Sequence, residues 1–101
     1  MYKGVTPTYT LKFPDTVDLS EANSVFVSFS DKSRKELLRK TGEELNVDQN
    51  MISVSLSQEE TLDFPSGAIL IQANWTYPDG GRACSVVAQD TYEDNLAREV
   101  L

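Results

Sequence analysis

The groups that could do covalent or metal chemistry in this 101-residue chain are few. There is no histidine, and Cys84 is the only cysteine. Without imidazole, Ser-His and Cys-His nucleophilic pairs and imidazole-bound metals are excluded. A lone thiolate is a poor zinc site, and one cysteine cannot close an internal disulfide. Carboxylates remain, in the pairs Glu43-Glu44 and Glu59-Glu60. Neighbours in an extended chain point to opposite faces, so neither pair converges on one substrate or ion. Glu43-Glu44 also lacks the Asp-x-Asp-x-Asp-Gly spacing of a calcium loop. Glu60 stands three residues after Ser57, the spacing of a helix capping box, and that is the simpler use for it. The expectation is no catalytic residue, no metal and no cofactor. Trp75, Tyr77 and Tyr92 could form an aromatic platform for a sugar, a carbohydrate-binding alternative. Trp75, however, continues the apolar face of Ile69 and Ile71, which favours a core position. Cys84 alternates with Val86 and Ala88 and reads as a small core residue.

Nine Lys and Arg oppose sixteen Asp and Glu, a net charge of −7. Such an acidic chain is poorly suited to sequence-independent nucleic-acid binding, which needs clustered cations. The charge is uneven. Residues 32–40 hold Lys32, Arg34, Lys35, Arg39 and Lys40 against Glu36, a net +4, leaving −11 elsewhere. A basic run of this kind fits either a dock for an acidic neighbour, including another copy of the chain, or a solvated strand edge on which lysine blocks aggregation. No secretion signal opens the sequence, and the longest apolar run, Ala68–Ile71, is far short of a membrane span. A cytoplasmic protein that does not enter membranes is expected.

The elements that would carry these residues have a period of two. Tyr9, Leu11 and Phe13 alternate with polar residues, as do Ile52, Val54 and Leu56; Val25, Val27 and Phe29 alternate with Phe26, Ser28 and Ser30, and Ile69, Ile71, Ala73, Trp75 and Tyr77 with Leu70, Gln72, Asn74 and Thr76. Pro78-Asp79-Gly80-Gly81 predicts a hairpin turn into a strand from about Arg82 to Thr91. These strands make an all-β antiparallel sandwich the expected fold. Ser57 and Glu60 predict a short helical turn near 58–62. Residues 33–41 fit a strand or a helix: Ser33 and Glu36 have capping-box spacing, but adjacent Leu37 and Leu38 give no helical stripe, which favours the strand. In the tail, Tyr92, Leu96 and Val100 fall at helical spacing. The domain expected is residues 1–91, with a C-terminal tail, 92–101, of helical pattern.

Lys3-Gly4-Val5-Thr6-Pro7-Thr8-Tyr9-Thr10-Leu11, followed by Leu56-Ser57-Gln58-Glu59-Glu60-Thr61-Leu62, resembles a family of small prophage proteins. Their pattern of an Arg-Gly-Thr-Thr-Pro-Thr opening, a Val-x-Phe-x-Gln strand, a Leu-Thr-Gln-Glu-Glu-Thr segment and an Asp-Gly hairpin is matched in order and spacing over nearly the whole chain. Val27-Ser28-Phe29-Ser30 and Pro78-Asp79-Gly80-Gly81 fall where it places them. Lys3 and Val5 depart from it, and the segment 40–48 is longer. The family is similar to the amino-terminal domain of phage baseplate upper proteins. The resemblance implies an immunoglobulin-like sandwich of about six to seven strands. It also implies a non-enzymatic structural part of a prophage tail or baseplate, made in the bacterial cytoplasm and carried in the virion tail. The partners implied are other tail proteins or further copies of itself, in a homo-oligomer. No catalytic residue carries over. The contact surfaces expected are the strand entry Gly4, Thr6 and Thr8, the basic residues Lys32, Arg34, Lys35, Arg39 and Lys40, and the tail stripe Tyr92, Leu96 and Val100.

Overall fold

The computed structural model describes residues 3–14, 16–84 and 87–93. The chain forms two antiparallel sheets around one core. The smaller sheet has the order β1 (Thr8–Lys12), β5 (Met51–Ser55), β4 (Leu45–Asp48). The larger has β3 (Glu36–Thr41), β2 (Ser24–Asp31) and β6 (Gly67–Thr76) side by side. Beyond β6 come β7 (Arg82–Cys84) and β8 (Ala88–Tyr92), which pair with successive stretches of it. A short helix, α1 (Gln58–Leu62), links the sheets.

The two-residue alternation holds where it was clearest. Val27 and Phe29 of β2, Ile52 and Val54 of β5, and Ile69, Ile71, Ala73 and Trp75 of β6 are all buried. Rings interlock across the layers: Tyr9 lies 5.9 Å from Phe29, Phe13 lies 5.1 Å from Trp75, and Phe64 meets Tyr92 edge-on at 5.1 Å. Such pairs add about 0.5–1.5 kcal/mol each beyond the area they bury. α1 starts where its capping box stands. The Ser57 amide donates to Glu60 Oε1 at 2.8 Å, and the Glu60 amide donates to Ser57 Oγ at 3.2 Å.

Residues 36–41 form a strand, and the adjacent leucines have a physical explanation. Phe29 faces Leu38 while Ser30 faces Glu36, so β3 carries one extra residue against β2. This bulge breaks the alternation and lets Leu37 and Leu38 both pack on the core. A second break corrects the reading of Cys84. Asn74 faces Cys84 but Ile71 faces Ala88, so three steps along β6 span four along the opposing strand. The extra residue shifts the parity: Ala83 and Ala88 pack against the core, and Cys84 is exposed. Val86 lies outside the described residues.

Three described elements went unread in the sequence. Residues 19–21 and 42–44 form 3-10 turns, and 45–48 form β4, whose Leu45 is buried. Tyr92, assigned to a helical stripe, is instead the last residue of β8, opposite Gly67. Leu96, Val100 and the expected helical tail lie outside the described residues.

Candidate interaction surfaces

The amino-terminal entry is fastened to α1 and β8. Gly4 has a φ of +83°, which favours glycine. Its amide donates to Thr61 Oγ1 at 2.9 Å, and that hydroxyl donates onward to the Val5 carbonyl at 2.8 Å. A side chain at position 4 would place Cβ 3.2 Å from Leu62 Cδ2. Gly4 therefore serves the fold, packed inside the entry. The Lys3 amide donates to the Glu93 carbonyl, and the Leu56 amide to that of Pro7. Thr6 and Thr8 are exposed, and the Thr8 hydroxyl is shared with Ser55 Oγ across the strands at 2.9 Å.

One flank of the molecule sets β1 of the smaller sheet beside β7 and β8 of the larger. Its upper half is closed by a polar latch. The Tyr9 hydroxyl donates to Asp90 Oδ2 at 2.7 Å and shares a hydrogen bond with the Tyr92 hydroxyl at 2.5 Å. Burial, then the bonds to Tyr92 and Asp90, push the Tyr9 phenol far above the ordinary tyrosine range. Burial likewise raises that of Tyr92. Tyr92 is 1% exposed, which corrects its assignment to a contact surface: its ring completes the core. Below the latch the flank opens into a mainly apolar groove of about 500 Å³, floored by Leu11, Phe13, Trp75, Ala83 and Ala88. Because Trp75 is only 4% exposed and Tyr92 is interior, the aromatic platform for a sugar does not assemble.

The structure divides the basic run among three environments. Lys32, Arg34 and Lys35 stand exposed in the β2–β3 turn. The Asp31 carboxylate organises that turn by accepting from the Ser33 amide and hydroxyl and the Lys35 amide. These bonds, the Ser33 hydroxyl first, hold Asp31 below the usual carboxylate range. Arg39 lies on the outer face, its guanidinium 4.1 Å from the Phe26 ring centroid and bonded to Glu36 at 2.8 Å. Lys40 faces inward opposite buried Val27, its side chain 12% exposed, with Nζ 2.7 Å from Glu60 Oε2 and 3.6 Å from Glu44 Oε2. Burial alone would raise the Glu60 carboxyl; the Lys40 ion pair and the bonds with Ser57 outweigh it and lower the pKa. The expected single basic surface is thus divided: the three turn residues and Arg39 face outward, and Lys40 is withdrawn into its ion pair.

Asp90 was missed in the sequence, although a signal existed: Ala88, Asp90 and Tyr92 alternate on one face, and an acid on an apolar face needs a partner. Among the described residues, every buried side-chain nitrogen or oxygen has a hydrogen-bond partner. No group of three or more Cys, Asp or Glu among them is placed to hold a metal ion. No helix among them is long and apolar enough to cross a membrane. The chain matches neither a protein-family model nor a curated protein.

Proposed function

We propose that this protein is a non-enzymatic structural component of a prophage tail or baseplate, an immunoglobulin-like β-sandwich that works through protein–protein contacts. The observation that carries this reading is the β1 flank, where a strand edge runs beside an apolar groove and the exposed Thr6–Thr8 entry. A strand edge bordered by side-chain pockets is suited to taking up another chain. The polar interior supports the same reading, since its hydroxyls and carboxylates are engaged with one another in holding the sheets together. The tail context rests on the resemblance of the Gly4–Leu11 and Leu56–Leu62 segments. Mass spectrometry of particles purified after prophage induction should find this chain in constant ratio to the tail proteins. Its absence from intact particles would overturn the tail assignment.

A further inference from the structure

The sheet edges of this molecule are defended unequally. β3 is bulged at Leu37 and turns Lys40 inward. The β7–β8 side is broken by its own register shift and turns Asp90 inward, opposite buried Ile69. β4 is four residues long and ends on Asp48. Bulges, inward charges and brevity are the devices that stop one sheet from adding to another. β1 carries neither a bulge nor an inward charge; its one edge charge is Lys12, at its end. It pairs with β5 in unbroken register from Thr8↔Ser55 to Lys12↔Met51, and Tyr9 and Leu11 are its inward residues.

The backbone direction of β1 follows from its ends. Pro7 accepts from Leu56, and the Phe13 amide donates to Asn50, so the odd positions bond toward β5. In an antiparallel ladder the even positions then aim their N–H and C=O groups the other way. Those are Thr8, Thr10 and Lys12, which have no strand partner on that side among the described residues.

We propose that β1 is a homodimerisation edge: two copies pair antiparallel through Thr8, Thr10 and Lys12, with Thr10 on the two-fold axis. The inference rests on the contact reading above and names its first partner as a second copy of this chain. The register is self-complementary, as an isologous interface requires. Thr10 faces the partner's Thr10, Thr8 faces the partner's Lys12, and on the inner side Tyr9 faces the partner's Leu11. No two lysines oppose each other. Charge along the flank favours this antiparallel arrangement. Asp90 and Glu93, with Lys3 between the entry and β8, stand by the start of β1, whereas Lys12 and Arg82 stand by its end. The two-fold lays the more acidic end of each flank on the basic end of the other. It also brings the partner's β1 over the mouth of the groove.

Light scattering over a wide concentration range should give twice the chain mass of 11.3 kDa, dissociating on dilution. Thr10→Pro removes the axial N–H, which faces away from β5, so the fold tolerates it while the dimer is lost. Thr10→Lys and Thr10→Glu should each be monomeric, because like charges then meet at the axis, and an equimolar mixture should restore the dimer. Hydrogen exchange at the Thr8, Thr10 and Lys12 amides should slow by about tenfold or more in the dimer. A monomer at all concentrations overturns the homodimer. So does a dimer that T10P and T10K leave intact, since its interface lies elsewhere. Either result leaves the tail assignment to the particle measurement, where the chain would be found without this self-pairing.

Discussion

The two flanks of the molecule close the same gap between sheets by different chemistry. On the β1 side a hydrogen-bonded network, Tyr9 with Tyr92 and Asp90, ties an otherwise plain strand edge to β8. On the β3 side an ion pair, Lys40 with Glu60, ties a bulged edge to α1. The difference teaches that one inward charge can do two jobs. Lys40 neutralises a half-buried carboxylate, and the same placement makes β3 a poor template for a further strand. Tyr9 secures its flank from within, and the outward backbone of β1 has no strand partner among the described residues. The bulge and inward lysine mark one flank, and the proposed dimer uses the other.

The largest effect is expected where both flanks lean on a common element. The Phe29 ring sits 5.9 Å from Tyr9 and 6.0 Å from Phe64, so Phe29→Ala should cost about 3–5 kcal/mol. Denaturant unfolding should show a single shifted transition; separate transitions for the two flanks would break the picture of one shared core. Tyr9→Phe should cost about 1–3 kcal/mol, because it leaves Asp90 and Tyr92 short of a partner. Because folding raises the Tyr9 pKa above its unfolded value, its contribution is complete below about pH 10 and is lost as pH rises beyond that. Wild-type stability should therefore fall at strongly alkaline pH, and more steeply than in Y9F; parallel curves would remove the latch from the account.

On the other flank, Lys40→Val should cost only about 1 kcal/mol, since Glu60 keeps some solvent. Its sharper signature is association: with the inward charge gone, β3 should form species larger than wild type by light scattering. An unchanged mass would mean that the bulge alone defends that edge. The smallest effect concerns pH. The Glu60 pKa is lowered in the fold, so its stabilisation is present above the unfolded value and is lost as pH falls through the folded one. As pH falls through and below the ordinary glutamate range, Glu60→Gln should flatten the loss of stability relative to wild type, measured by thermal unfolding.

Much of this arrangement was legible before any tertiary information. The strands β1, β2, β5 and β6 followed from alternation, and α1 from Ser57 and Glu60. The hairpin after β6 followed from Asp79-Gly80. Each of these depends on contacts within a few residues. The misreadings have separate causes. Cys84 was placed inside because alternation was assumed to run unbroken from 82 to 91, whereas one extra residue reverses every later side chain. Tyr92 fitted a helical stripe as well as the end of a strand, and only its pairing with Gly67 and packing on Phe64 decided between them. Thr41 and Glu44 have the same spacing as Ser57 and Glu60, and the Thr41 amide does donate to Glu44 at 3.3 Å; that local signal was readable and went unread.

The sequence by itself determined the composition of each face and the absence of histidine chemistry, because alternation and residue type are properties of short stretches. It could not determine how five clustered cations would be divided. Their separation follows from the turn at Asp31, the bulge at Leu37 and the approach of α1, which together point Lys32, Arg34 and Lys35 outward, stack Arg39 on Phe26 and bury most of Lys40. Nor could it show that β1, a plainly alternating strand, would end at the rim of its sheet. Which strand becomes an edge is decided by the order in which distant segments pair, and that order is a property of the whole fold.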